Sequence, residues 1–207
     1  MKESVEVRAF PSELAESVQS VLPLLVDGQL HPPSEGFRAE VSGEFLEIPY
    51  RVYYRAERVR DLVKSAGEGV IVACLGARHY DGYLREECLT RVLSVEAAWV
   101  VPFVVQLVGE YVVSILQIVE RAMPTLREAL YVEYVSKNRS LFETVGRRAV
   151  SYWDAYHRGQ YPKLSDYPGF RIHSELRRMS EAIFATDEHA RHSNQEKVGV
   201  QRPLSPS

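Results

Sequence analysis

The 207-residue sequence has little cysteine and no strong charge of either sign. Its two cysteines, Cys74 and Cys88, cannot form a disulfide framework, and their apolar surroundings indicate buried thiols in a reducing compartment. The formal net charge of −3 gives no overall attraction for nucleic acid or anionic lipid. The first ten residues lack the apolar core of a secretory signal peptide. The composition therefore predicts a cytoplasmic globular protein.

Sequence motifs of known catalytic sites are also missing. There is no Gly-rich phosphate loop with a lysine, no Gly-x-Ser-x-Gly elbow and no His-Glu-x-x-His. Glu188, His189 and His192 have the spacing of metal ligands, but they lie in a polar segment without surrounding apolar residues. We therefore predict no catalytic residue, no metal site and no cofactor.

One apolar run, Trp99–Val119, is long enough to span a bilayer. Glu110 lies at its centre, where a charge costs about 2.5–3.5 kcal/mol or more in a membrane, and Gly109 weakens a continuous helix. Polar residues recur every three or four positions, as one stripe of a helix does. These are Pro102, Gln106, Glu110, Ser114, Gln117 and Arg121. The pattern predicts a buried helix or helical hairpin of a soluble protein, with membrane association through residues 99–119 as the alternative.

The periodicity of the chain changes near residue 55. Before it, the pattern predicts an amphipathic helix over Pro11–Gly28 and, around a Ser42-Gly43 turn, a β-hairpin over Phe37–Tyr53. From Ala56 onward it predicts helices only. Four residues are predicted to cap helix starts, namely Asp81, Ser94, Thr125 and Ser140. We predict an N-terminal helix plus hairpin in residues 1–55, a helical-repeat domain in residues 56–185 and a disordered tail in residues 186–207.

A degenerate repeat runs through the helical part. Asp81-Gly82-Tyr83-Leu84 and Gly109-Glu110-Tyr111-Val112 both place small and acidic residues before a tyrosine, and another helix start follows near Asn138. A period of about 30 residues with two helices is typical of helical repeat arrays. The predicted fold class is mainly α, with a short α-solenoid core of helical hairpins and a small N-terminal β-hairpin. A compact helical bundle is the alternative.

Two stretches carry a resemblance to known proteins. DGYLREECLTRVL followed by WVVPFVVQLVGEYVVSIL resembles the paired helices of HEAT-like repeat proteins. The longer pattern of IPYRVYY, CLGARHYDGYLRE, the same apolar helix and SYWDAYHR resembles a group of hypothetical bacterial proteins, over about Ile48 to Arg158. The resemblance implies an α-solenoid used as a binding surface, and it carries no activity onto these positions.

Two groups of titratable residues are candidate binding sites. Arg78, His79, Asp81 and Arg85 surround one helix start. Asp81 and Arg85 suit a cap and an i,i+4 ion pair, whereas His79 with Asp81 suits a general base or a contact to a partner. Glu110 stands in the most apolar part of the chain. It is interpreted either as a cap or arginine partner, or as a carboxylate with a perturbed pKa.

The charges divide unevenly along the chain. Residues 1–120 hold 11 basic and 18 acidic residues, whereas residues 121–180 hold 11 basic and 6 acidic ones. The basic part is interpreted as a solvated face or as a surface for a partner, and its candidate binding residues are Arg147, Arg148 and Arg158. It also contains the aromatic segment around Trp153, which suits either a core or an interface.

The sequence favours an interaction or scaffold module with a protein partner, acidic in character, and self-association is a further option. Nucleic acid and membrane are disfavoured as partners. The alternative is an enzyme or nucleic-acid-processing protein that uses a cleft around His79, Asp81 and Glu110. A convergence of these three side chains in one pocket would favour the alternative, whereas caps at successive helix starts would count against it.

Overall fold

A computed structural model describes residues 4–65 and 67–182 of the chain. The predicted tail of residues 186–207 and the pattern at Glu188, His189 and His192 lie outside these residues. Ten helices occur in the described part. They are α1 (Val5–Arg8), α2 (Ala15–Val26), α3 (Ala56–Leu62), α4 (Gly69–Gly76), α5 (Gly82–Leu93), α6 (Val101–Val108), α7 (Val113–Ala122), α8 (Glu128–Lys137), α9 (Arg139–Tyr152) and α10 (168–182).

The two strands, β1 (Gly36–Val41) and β2 (Glu44–Pro49), form an antiparallel hairpin. Ser42 and Gly43 make its two-residue turn with φ of 50° and 85°, a geometry that matches the twist of the strands. The Asn138 amide fastens the hairpin to the helices, since it accepts from the Glu40 N–H at 2.8 Å and donates to the Glu40 carbonyl at 2.8 Å. The predicted helical core with an N-terminal hairpin is confirmed.

Helix α6 is the centre of the molecule, and all of its eight residues are buried. It contacts α5, α7, α8 and α9. Gly109 ends it, and α7 starts at Val113, so the apolar run is divided into two helices that pack on each other. Among the described residues, no helix combines the length and apolarity needed to cross a bilayer. The apolar run is therefore a helical hairpin, one of the two forms that the sequence predicted, with α6 fully buried and α7 partly buried.

Three consecutive helix pairs follow one another, namely α4 with α5, α6 with α7 and α8 with α9. Neighbouring pairs touch through α5 with α7 and through α6 with α9. A single hydrophobic core includes side chains from both sides of residue 55. The repeat itself, and the choice between a solenoid and a bundle, stay predictions.

Residues 4–10 include a short helix and a side chain of the core. Ser4 caps the short helix α1 by accepting from the Val7 N–H at 3.4 Å. The Phe10 ring is buried and stacks on Phe103 of α6, with 5.4 Å between ring centroids. A segment this short shows no periodicity, so its role in the core could not be seen in the sequence.

Three of the predicted caps are wrong. The hydroxyls of Ser94 and Thr125 each donate to the carbonyl three residues before them, so they close the helical turn that precedes them. Helix α9 begins at Arg139 without a side-chain cap from Ser140. Only Asp81 among the four caps its helix, by accepting from the Tyr83 N–H at 2.9 Å.

Candidate functional site

Three loops meet beside the end of α6. The loop after β2 carries Arg51, the loop after α4 carries Arg78, and the break between α6 and α7 carries Glu110. The first two loops are joined by backbone hydrogen bonds, because the Val52 N–H donates to the Arg78 carbonyl at 3.0 Å and the Tyr80 N–H donates to the Val52 carbonyl at 3.1 Å. This pairing brings together residues that are distant in the sequence.

Arg51, Arg78 and Arg85 surround the Glu110 carboxylate, and we call these four residues the arginine cluster. Arg51 Nη2 lies 2.9 Å from Glu110 Oε1, and Arg85 Nη2 lies 3.4 Å from Oε2. Arg78 Nη2 is 3.8 Å from Oε1. The side chains of Arg78 and Arg85 are 1% exposed, that of Glu110 is 5% exposed and that of Arg51 is 27% exposed. The cluster is therefore buried and reaches solvent at Arg51.

Backbone carbonyls take up several of the remaining donors. Arg51 Nη1 and Arg78 Nη2 donate to the Tyr50 carbonyl at 2.8 and 2.9 Å. Arg85 Nη1 donates to the carbonyls of His79 and Tyr80 at 2.8 and 3.0 Å. Two buried nitrogens, Arg78 Nη1 and Arg85 Nε, have no hydrogen-bond partner among the residues that the structure describes. The cluster thus joins the loops and keeps unused donor capacity.

The cluster holds more positive than negative charge. Three guanidinium groups face one carboxylate, and a fourth guanidinium, of Arg148, lies 4.9 Å from the centre of the adjacent Tyr50 ring. Burial lowers the pKa of Arg78 to about 9, Glu110 opposes this effect, and the like charges of Arg51, Arg85 and Arg148 add to it. Arg78 therefore stays protonated at neutral pH within a site of excess positive charge.

His79 is placed as a structural residue. Its Nδ1 accepts from the Asp81 N–H at 3.1 Å, which leaves the proton on Nε2, 2.9 Å from the Tyr54 carbonyl that accepts it. Burial lowers the pKa of His79, so the ring is neutral at pH 7. Both ring nitrogens are engaged by the backbone, and this arrangement does not favour the predicted general-base role.

Arg85 and Glu110 do not make two of the contacts that the sequence suggested. Arg85 does not form the predicted i,i+4 pair with Asp81, because its guanidinium turns inward to Glu110 and to two carbonyls. Glu110 does not cap α7, whose start at Val112 has no side-chain cap, and it is instead the arginine partner that the sequence also suggested. Arg51 was missed, although an arginine within the aromatic string PYRVYY is a signal for a buried or half-buried cation.

The three arginines predicted as binding residues of the basic part, Arg147, Arg148 and Arg158, do not lie together. Arg148 lies beside the arginine cluster, whereas Arg147 Nη2 donates to the Thr144 hydroxyl at 2.7 Å on another side of the helix. Arg158 follows the π-helical turn Trp153–His157 that continues α9, where it pairs with Asp154 and lies over the Trp153 ring. These three residues therefore belong to three separate surroundings.

Four of the eight other basic residues of this region have an acidic partner on the surface. The pairs are Lys137–Glu40 at 3.5 Å, Arg171–Glu120 at 2.7 Å, Arg177–Glu143 at 2.7 Å and Arg178–Glu175 at 2.6 Å. The excess of basic residues in the sequence is consequently reduced where it reaches solvent.

A groove of about 650 Å³ lies between α9 and α10. We call it the α9–α10 groove. It is lined by Glu143, Gly146, Arg147, Val150, Ser151, Phe170, His173, Ser174 and Arg177. These positions recur at helical spacing on both helices, so each helix contributes one face. The helices approach closely at Gly146, where an added Cβ would lie 2.5 Å from the His173 ring.

The described part of the chain holds no group of three or more His, Cys, Asp or Glu side chains suited to a metal ion. Cys74 and Cys88 are free and buried. Burial raises the pKa of Cys88 to about 12 and that of Cys74 well above its ordinary value, so neither is a reactive thiolate.

No family model, no curated protein and no solved structure matches this chain. The resemblance to HEAT-like repeats and to hypothetical bacterial proteins therefore stays a prediction from the residues.

Proposed function

We propose that this protein is a cytoplasmic interaction module that binds an acidic, amphipathic helical segment of a partner protein in the α9–α10 groove. The observation that carries this proposal is the groove itself, which has an apolar floor between two parallel rows of helical positions and a cationic residue at its rim.

The shape of the groove suits a helix. Val150 lies one helical turn after Gly146 on α9, and Phe170 lies across from them on α10. Val150 is 38% exposed, so an apolar side chain is available for contact. An amphipathic helix places side chains at i, i+3 and i+4 along one face, and such side chains fit a groove between two helices.

The charges at the rim favour an acidic segment. Arg177 is neutralised by Glu143, to which its Nη2 donates at 2.7 Å. Arg147 is exposed and bonds to the neutral hydroxyl of Thr144, so its charge is not balanced by that contact. An exposed ion pair contributes about 0.2–1 kcal/mol, so the apolar floor supplies most of the affinity and Arg147 supplies orientation and association rate.

The experiment is an affinity capture with the purified protein at low and high salt, followed by mass spectrometry and by binding measurements with the purified partner. We expect Val150→Glu to abolish binding and Arg147→Glu to weaken it at low salt. Arg121→Glu, at an exposed position of α7 in the same basic region, is the matched control and should bind as the original protein does. Unchanged partner binding by Val150→Glu would exclude the groove.

A further inference from the structure

The arginine cluster has a charge imbalance that its structural role does not require. One carboxylate would be held by one or two guanidinium groups, but here Arg51, Arg78 and Arg85 all face Glu110. The four side chains together carry two excess positive charges, and Arg148 adds a further one nearby. Buried charges without counter-ions are costly, so such an excess is typical of a site that receives an anion.

Unused donors point to the same conclusion. Arg78 Nη1 and Arg85 Nε are buried and belong to side chains that are 1% exposed. Neither has a partner within residues 4–65 and 67–182. The Nη2 atoms of these arginines lie 3.8 and 3.4 Å from Glu110, longer than the 2.9 Å contact made by Arg51. One carboxylate therefore does not satisfy all three guanidinium groups, and a second acceptor would complete their hydrogen bonds.

The cluster can be reached from solvent on one side. Arg51 is 27% exposed, and Tyr50 and Arg148 beside it are half-buried. Gly82 is also half-buried, and a Cβ added there would lie 3.6 Å from Arg85 Nη2. A side chain at Gly82 would therefore contact this guanidinium, which is itself buried.

We propose that the arginine cluster, with Arg148 at its edge, binds the phosphate group of a small phosphorylated ligand or free phosphate. A phosphate carries a charge of about −1.5 to −2 at pH 7, which offsets the excess of two positive charges on the four cluster residues, whereas a carboxylate offsets only one of them. Its oxygens accept from several guanidinium groups at once. The proposal is independent of the α9–α10 groove.

The test measures the midpoint of thermal unfolding as inorganic phosphate is added. The same titration is made with glycerol 3-phosphate, acetate and sodium chloride at matched ionic strength. Line broadening of the ³¹P signal is a second measure of binding. We expect phosphate or the monoester to raise the midpoint of thermal unfolding saturably. This rise should exceed the rise that acetate and chloride produce. Binding by the monoester as well as by free phosphate identifies a phosphorylated ligand, and binding by inorganic phosphate alone identifies free phosphate.

Arg51→Met is the main variant, because Arg51 is partly exposed and the other two arginines still hold Glu110. We expect it to weaken phosphate binding by about tenfold or more, the loss of one charge-assisted contact. Arg121→Met on α7 is the matched control and should leave the affinity unchanged. Glu110→Gln removes the internal competitor and should tighten phosphate binding.

Two results would overturn the proposal. One is a phosphate response no larger than that with chloride. The other is equal phosphate affinity in the original protein and in Arg51→Met. A cluster that serves folding alone would change its unfolding midpoint in these variants, but it would not change the response to phosphate.

Discussion

In the arginine cluster three guanidinium groups share one buried carboxylate, whereas on the surface of α10 Arg171, Arg177 and Arg178 each have a carboxylate of their own. The cluster lies within residues 1–120, where acidic residues predominate, and the paired surface belongs to residues 121–180, where basic ones predominate. Charge counted along a sequence is therefore a poor guide to charge in space. The arrangement of partners decides which region attracts an anion.

The two regions also differ in what a single side chain contributes. An exposed pair such as Arg171 with Glu120 contributes about 0–1 kcal/mol, because water and salt screen it. Removing one partner from a buried pair costs about 3–5 kcal/mol, because a charge is left without a counter-ion. The same substitution should therefore lower the free energy of unfolding much more in the arginine cluster than on the surface of α10.

The largest effect is expected from Glu110→Gln. This change leaves three guanidinium groups without their carboxylate, and we expect the free energy of unfolding to fall by about 3–5 kcal/mol in buffer free of phosphate. The measurement is urea denaturation followed by circular dichroism. The same change at Glu120, which pairs with Arg171 on the surface, should cost under about 1 kcal/mol. Equal losses at the two positions would contradict the distinction between the regions.

Gly146→Ala should have a smaller effect on the free energy of unfolding. It tests whether the packing of α9 on α10 contributes to stability as well as the charged pairs do. The added methyl group would meet the His173 ring, and we expect a loss of about 1–2 kcal/mol after the gain in helix propensity. Gly159→Ala is the control, because nothing lies within 4 Å of a Cβ there, and it should stay within about 0.5 kcal/mol. A stabilised Gly146→Ala protein would show that α9 and α10 can separate freely.

The smallest effect concerns pH, since each region contains one buried histidine. Burial lowers the pKa of His79 and His173 below the ordinary 6.5, while a hydrogen bond to a backbone carbonyl opposes it. The unfolded chain therefore binds protons that the folded chain does not, and stability should fall as pH drops below 6.5. The slope is at most about 1.4 kcal/mol per pH unit for each histidine.

Urea denaturation at pH 7.5, 6.5 and 5.5 measures this slope. His173→Gln should reduce it, whereas His31→Gln, at an exposed position, should leave it unchanged. A stability that does not vary over this range would show that the two rings are not held neutral.

The sequence predicted the elements whose signals are local. The Ser42-Gly43 turn, the Asp81 cap and the break at Gly109 each depend on a few adjacent residues, and each is present. The caps at Ser94 and Thr125 failed because a hydroxyl can donate backward to a carbonyl as readily as it accepts from the next helical turn.

The candidate site was predicted in part. Arg78 and Arg85 were chosen because titratable residues surround one helix start, and Glu110 because it stands in the most apolar part of the chain. The three side chains do come together. Arg51 was not chosen, because it is 59 residues from Glu110 and only the pairing of two loops brings it near. The α9–α10 groove could not be predicted from the sequence either, because the contact between Gly146 and His173 that sets the helix spacing forms only in the folded protein.

Asn138 determines how late in synthesis the hairpin can be fastened to the helices. Its amide bonds Glu40, which precedes it by 98 residues. At a synthesis rate of about 5–20 residues per second, the ribosome needs about 5–20 seconds to deliver this partner after the hairpin has emerged. During that interval α8, which contacts β1 in the folded protein, does not yet cover its side of the hairpin.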